Sequence, residues 1–145
     1  MAGAYVIGTG RPAGRQTALD FGAQEFFDRD NAVEDVGEVD LVFDVLGGDI
    51  AKRSAGVIRA GGTLVTIAGP TEARPSGGLT IDFVVVPDRA QLSELVQRVR
   101  VGRLRTNIGK VAALDDAVAA FNPTERIKGK TIIRGSERVT RRLAA

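Results

Sequence analysis

Short apolar runs recur along the chain, each separated from the next by a glycine turn or an amphipathic stretch. Tyr5 to Gly8 opens the series as a β-type run, and a helical pattern follows from about Gly14 to Phe21. Gly22 stands where a helix ends on a residue free to take positive φ. Glu25 to Asp28 reads as a second short strand, and "NAVEDVGE" holds at most a brief helix. Val39 to Gly48, "VDLVFDVLGG", is nearly continuous in apolar residues, as expected of a strand covered on both faces. A helix is predicted from roughly Asp49 to Ile58, where Ile50, Ser54, Val57 and Ile58 share a face, then a buried strand over Thr63 to Ala68. Pro70 to Gly78 has the composition of a loop, and "LTIDFVVV" that of a strand. Asp88 starts a regular amphipathic helix with Leu92, Leu95, Val96 and Val99 on one stripe, and Gly102 stops it. A short strand and helix in "LRTNIGKVAALDDAVAAFN" precede a final strand in "KGKTIIR". This alternation predicts an α/β fold.

A chain of 145 residues is of single-domain size, and one domain is expected over residues 1–134, with 135–145 a mobile tail poor in apolar residues. The 20 basic and 18 acidic residues nearly balance, which argues against a nucleic-acid partner. Cysteine and histidine are both absent, so disulfides, thiolate chemistry and a histidine base cannot come from this chain. No apolar run approaches bilayer length, so no membrane association is expected and a cytoplasmic location is the default.

Gly8-x-Gly10-x-x-Ala13 follows the first strand, and Asp28 stands 20 residues beyond Gly8. Taken as a first phosphate-binding turn of short-chain-reductase type, this pattern would put Asp28 on the ribose hydroxyls and select NAD. Pro12 sits badly in such a turn, because its nitrogen has no hydrogen to offer a pyrophosphate. The Ser, Tyr and Lys set of a self-contained short-chain reductase is also missing, since Tyr5, the one tyrosine, lies in the first strand.

Six stretches in order resemble a different family. They are "GAYVIGT", "LDFGAQEFFD", "VDLVFDVLGG", "RAGGTLVTIAGP", "AQLSELVQRVRVGRLRTNI" and "ALDDAVAAF…KGKTIIR". Together they cover most of the chain and resemble the cofactor-binding half of the medium-chain dehydrogenase/reductase superfamily, in its zinc-free NADPH:quinone oxidoreductase branch. The resemblance implies that "AYVIGT" is the second strand of the nucleotide fold. The expected fold is then a truncated doubly wound, Rossmann-like parallel sheet lacking its first strand and first helix, and the chain is expected to be a fragment without the catalytic domain.

The resemblance also implies where a cofactor would lie. Gly10 occupies the position of the acid found in NAD-selective relatives, so Thr9, Arg11 and Arg15 become candidates to hold the 2′-phosphate of NADPH. Val45, Leu46 and Gly47, with Ile67, Ala68 and Gly69, would line the nicotinamide-ribose side at the carboxyl ends of two strands. The plainer alternatives are solvated arginines and ordinary turn glycines. Asp44 is expected to cap a turn, Phe83, Val84 and Val85 to pack in a core, and Lys130 to be solvated. No residue is expected to be a catalyst, and no metal is expected.

The full family fold has strand order 3-2-1-4-5-6, with strand one central. Without it, strand two is expected either to pair directly with strand four or to leave a gap for a second chain. The pieces "TNIGKVAAL" and "GKTIIR" must pair with each other, with the sheet or with another molecule. Unpaired edges of this kind predict a homo-oligomer. The implied function is a partial cofactor-binding domain of an NADPH-dependent quinone or enone oxidoreductase, with weak NADPH binding and little or no activity alone. The alternatives are a non-enzymatic binding or assembly module, or a short-chain-reductase-like NAD domain with its turn at Gly8, Gly10 and Ala13.

Overall fold

A computed structural model describes residues 3–125 and 127–135. The chain forms two compact units, Met1–Pro87 and Asp88–Ala145. The expected tail lies outside the described residues, Gly135 excepted.

The first unit runs β1 (Ile7–Gly10), a 3-10 turn (Pro12–Gly14), α1 (Arg15–Asp20) and β2 (Glu25–Asp28). A second 3-10 turn (Val33–Val36) leads to β3 (Val39–Asp44), α2 (Gly48–Gly56), β4 (Ile58–Thr66) and β5 (Leu79–Asp82). β1 and β2 pair in parallel, from Ile7 opposite Glu25 to Gly10 opposite Asp28. β3, β4 and β5 form a second parallel sheet in that order. This is the parallel α/β architecture that the strand pattern predicts and the truncated Rossmann-like sheet that the resemblance implies.

Packing of small residues defines the core. Ala51 and Ala55 of α2 sit against Ile58, Leu64 and Ala73, with Val39 and Val42 at its margin. Alanine at these positions lets the helix lie close over the sheet, and wholly buried Leu64 contributes about 1.5–3 kcal/mol by leaving water. The expected helix face is corrected here. α2 buries Ala51, Ser54 and Ala55, while Ile58 already begins β4. β4 also starts earlier than the pattern predicts, because Ile58 pairs with Val39 before the register shifts to Thr63 opposite Leu41.

The two sheets of this unit do not join. Among the described residues no ladder connects β1 to β3, so the expected direct pairing of these strands does not form. The 3-10 turn carrying Val33, which is 1% exposed, packs on both β2 and α2 and holds them apart. Arg53 of α2 fastens the arrangement. Its Nε and Nη2 donate to the two carboxylate oxygens of Glu34 at 2.6 and 2.7 Å, and its Nη1 donates to the Arg29 and Asp30 carbonyls at 3.1 and 3.3 Å. α2 packs over one face of β3, at Val42, while Leu41 (55%) and Phe43 (58%) on the other face are exposed, contrary to the reading of a strand buried on both faces.

β5 is shorter than "LTIDFVVV" predicts. Its partner β4 ends at Thr66, opposite Asp82, and one further bond from the Phe83 amide to the Thr66 carbonyl (2.8 Å) closes the ladder. Val84, Val85 and Val86 are then 72–78% exposed and Phe83 is 53% exposed, which corrects the core role expected for residues 83–85.

The second unit contains α3 (Arg89–Arg100), β6 (Ile108–Ala113), α4 (Ala117–Phe121) and β7 (Lys130–Arg134). Asp88 caps α3, its Oδ1 accepting from the Ala90 and Gln91 amides at 2.8 and 2.9 Å, and Gly102 ends the helix region with φ of 71°. β6 and β7 pair in parallel with each other, one of the three arrangements open to them.

The Arg53 fork holds the Glu34 carboxyl down at about 2, from an ordinary 4.5. A depressed carboxyl stabilises the fold above its ordinary value, and that contribution fades as pH falls from about 4.5 toward 2. Because the pair is exposed the effect is small. Urea melts over this range should lose less stability with Glu34→Gln than with the native chain; equal losses would show that the fork does not report on folding.

Candidate functional site

β3 and β4 end at the same level, with Asp44 directly opposite Thr66. Both side chains are buried, and the Thr66 hydroxyl donates to Asp44 Oδ2 at 2.7 Å. Asp44 also accepts from the Leu46 and Gly47 amides at 3.1 Å, and Thr66 Oγ1 accepts from the Ala68 amide at 3.2 Å. Each strand thus caps its own exit turn and the two caps are bonded together. Asp44 is a capping residue, as the sequence suggests.

This clamp brings the 45–47 and 67–69 loops into contact. Gly47 takes φ of 71°, and a Cβ added there would lie 3.0 Å from the Ala68 Cβ, so glycine is required both by backbone conformation and by space. Val45 (55%), Leu46 (49%) and Ile67 (43%) are left exposed beside this contact. Four loop amides, of Leu46, Gly47, Ile67 and Ala68, are already bonded to Asp44 or Thr66, so the loops offer an apolar shelf with a close backbone rather than a nest of amides.

Thr9 is exposed on β1, and Arg11 is exposed at the entry to the 3-10 turn. Arg15 is exposed too, but its Nη1 already donates to the Phe26 carbonyl at 3.1 Å. Gly8 and Gly10 have a packing function. A Cβ at Gly8 would meet Ala18 at 3.3 Å and the Phe26 ring at 3.4 Å, and one at Gly10 would meet the same ring at 3.3 Å. The Gly14 and Arg15 amides bond back to the Arg11 and Pro12 carbonyls, which leaves the turn little with which to hold a pyrophosphate. Asp28 accepts from Asn31 Nδ2 (2.9 Å) and the Asp30 amide (3.0 Å), and the Asn31 bond, above all, lowers its pKa. It is therefore engaged in its own turn.

Among the described residues, no hydrogen bond or ion pair joins Thr9, Arg11 or Arg15 to the paired loops. The clamp residue that sequence reasoning missed is Thr66. Its signal was present: "DVLG" and "TIAG" share a polar residue two apolar positions ahead of glycine, at the exits of adjacent strands.

A parallel α/β sheet whose strand exits converge in glycine loops defines the Rossmann-like class. Residues 21–133 match the family model described as zinc-binding dehydrogenase, and the chain belongs to that family. No curated protein matches it. Among solved structures it is similar to a thermostable alcohol dehydrogenase from Pyrobaculum aerophilum (26% identity, TM-score 0.70), over 90% of this chain and 43% of that one. It is also similar to the quinone oxidoreductase from Coxiella burnetii (22%, TM-score 0.71, 90% and 45%). A third similar structure is described as a putative NADPH:quinone reductase from Bacillus thuringiensis (21%, TM-score 0.60, 86% and 47%). The chain therefore spans less than half the length of these structures. No helix among the described residues is long and apolar enough to cross a membrane.

Zinc does not fit the residues present. The chain has no cysteine or histidine, and the described residues contain no group of three or more acids placed to hold a metal. Gly69, where an added Cβ would meet nothing within 4 Å, leaves room for a planar group against the backbone.

Removing the Thr66 hydroxyl leaves a buried carboxylate short of a donor. Thr66→Val should lower unfolding free energy by about 1–3 kcal/mol in urea melts, and Thr66→Ser by much less. A Thr66→Val protein as stable as the native one would mean that the clamp does not hold the loops.

Proposed function

We propose that this chain is the nicotinamide-nucleotide-binding part of an NADPH-dependent quinone or enone reductase, with weak cofactor affinity and little or no turnover alone. The reading rests on the contact of Gly47 with Ala68 at the carboxyl ends of β3 and β4, in a member of a dehydrogenase family. Strand exits of this kind are where open parallel sheets bind ligands. The similarity to structures described as quinone reductases supports the direction of the proposal.

In this reading Val45, Leu46 and Ile67 give the apolar floor, Gly47 lets Ala68 pack close beside it, and Ala68 and Gly69 let the ring approach the backbone. The nicotinamide, when bound, supplies the hydride chemistry. The chain binds it, orients it and shields one face from water. Thr9 and Arg11 face the adenosine 2′-phosphate, joined by the donors of Arg15 that Phe26 does not use. Gly10 brings no carboxylate to repel that phosphate. Affinity is weak because, in the 11–15 turn, the Gly14 and Arg15 amides are spent on the turn itself and Pro12 has none to offer.

Two further parts of the proposal are a cytoplasmic location and self-association. The outer edge of β5 lies at the end of its sheet beside the exposed run Phe83 to Val86, and open edges favour strand addition between copies. A second reading, a binding or assembly module, draws on a cavity of about 480 Å³ lined by Val6 and Ile7 of the first strand region and by Leu41 and Phe43 of β3.

Titration calorimetry with NADPH and NADH tests the cofactor assignment. NADPH should bind weakly yet about tenfold or more tightly than NADH, and Arg11→Ala should remove most of that preference, since a charge-assisted bond is worth ~1.5–3 kcal/mol. Equal or stronger binding of NADH would contradict the assignment, and micromolar NADPH affinity would contradict its weakness. Light scattering on the same sample should give a mass above one chain; a single-chain mass would remove self-association from the proposal.

A further inference from the structure

α3 differs from α2 in what its apolar side covers. α2 buries three residues, Ala51, Ser54 and Ala55, whereas α3 buries none. Leu92 (61%), Leu95 (48%), Val96 (44%) and Val99 (43%) make up the stripe of α3, and all four are exposed. The stripe continues past the helix end. Gly102 takes φ of 71°, and the Arg103 and Leu104 amides bond back to the Arg98 carbonyl at 2.8 and 3.0 Å, which holds Leu104 beside the last turn.

The charges around this stripe are ordered. With 3.6 residues to each turn, Arg89 and Arg100 fall along one border of the stripe and Arg98 along the other. Residues 88–104 hold four arginines against two acids, and both acids are engaged. Asp88 caps the helix through the Ala90 and Gln91 amides. Glu94, on the side away from the stripe, accepts from Arg98 Nε and Nη2 at 3.1 and 2.5 Å. Glu94 thus offsets the charge of Arg98, while Arg89, Arg100 and Arg103 have no side-chain bond or ion pair among the described residues.

An apolar stripe with arginines along its borders has the layout of a membrane surface. Aliphatic side chains enter the acyl boundary there, and arginine stems run along it so that the guanidinium groups reach the headgroups. A protein interface places its anchors differently, with tryptophan, tyrosine or arginine at the centre of the buried patch. In α3 the centre is leucine and valine, and the arginines stand at the margin.

We propose that residues 89–104 bind membrane surfaces rich in anionic lipid, the stripe facing the acyl chains and Arg89, Arg100 and Arg103 facing the phosphates. The helix has 12 residues, about 18 Å at 1.5 Å for each, and lies in the plane of the surface without spanning it. The contact requires no nucleotide, so it stands or falls independently of the cofactor site.

The test is co-sedimentation of the full chain with vesicles of phosphatidylcholine alone and of phosphatidylcholine mixed with phosphatidylserine. Binding is expected to the mixed vesicles only, and it should weaken as salt rises, because the attraction to the headgroups is screened. Replacing Arg89→Gln and Arg100→Gln together should weaken it about tenfold or more, since each arginine near such a surface contributes severalfold. The chain has no cysteine, so Val96→Cys places a single thiol on the stripe. That thiol should react readily with a maleimide in the free chain and slowly on the mixed vesicles. The proposal is overturned by no binding to the mixed vesicles, by equal binding to phosphatidylcholine alone, or by a double variant that binds as well as the native chain. Polyglutamate bound as tightly as the mixed vesicles would also overturn it, making the partner an acidic polypeptide. So would a Val96→Cys thiol shielded in the folded chain without vesicles, because the stripe is then already covered. If a variant does not fold, the two kinds of vesicle compared on the native chain still decide.

Discussion

The hydrogen bond from the Thr66 hydroxyl to the Asp44 carboxylate is a small contact on which the placing of the 45–47 and 67–69 loops depends. It joins the last residues of two adjacent parallel strands inside the protein, where neither group has water to fall back on. Each partner then caps the turn that follows its own strand. The positions of Val45, Leu46 and Gly47, and of Ile67, Ala68 and Gly69, follow from that pair of caps. In a chain that matches a zinc-binding dehydrogenase family, these loops carry only glycine, alanine and aliphatic side chains.

A second constraint acts on the other side of β3. Val33 is wedged between β2 and α2, and Arg53 reaches from α2 to Glu34 and to two carbonyls after β2. These contacts fix the two sheets near each other without letting them merge. Leu41 and Phe43 remain exposed because they lie on the face of β3 opposite the one that packs on α2. β3 therefore has an end that is fully bonded and, among the described residues, an inner edge that is not.

Much of this was legible in the sequence, because it is written in local chemistry. β2 falls on "EFFD" as predicted, Gly22 and Gly102 take the positive φ that ends their helices, and Asp44 caps its turn. What was not legible depends on partners distant in sequence. β5 stops at Asp82, despite a valine run beyond, because β4 has no more residues to offer it. Leu41 and Phe43 read as buried because periodicity cannot report a neighbour that is missing. Arg15 reads as a free cation, yet part of its guanidinium is committed to the carbonyl of Phe26 across the β1–β2 layer. The glycines of "GTG" imitate a phosphate cradle while serving to admit the Phe26 ring. Thr66 was passed over because a threonine in an apolar strand is unremarkable until its opposite number is known to be an aspartate.

The central claim is that the cofactor site lies across the exits of β1, β3 and β4. The direct measurement is an amide chemical-shift map of the isotope-labelled chain titrated with NADPH. The account predicts shifts concentrated at residues 9–15, 45–47 and 67–69, with the 9–15 shifts smaller when NADH replaces NADPH. Shifts confined to the open cavity of the second unit around Val111, Leu114 and Arg134, or none at saturating nucleotide, would contradict it.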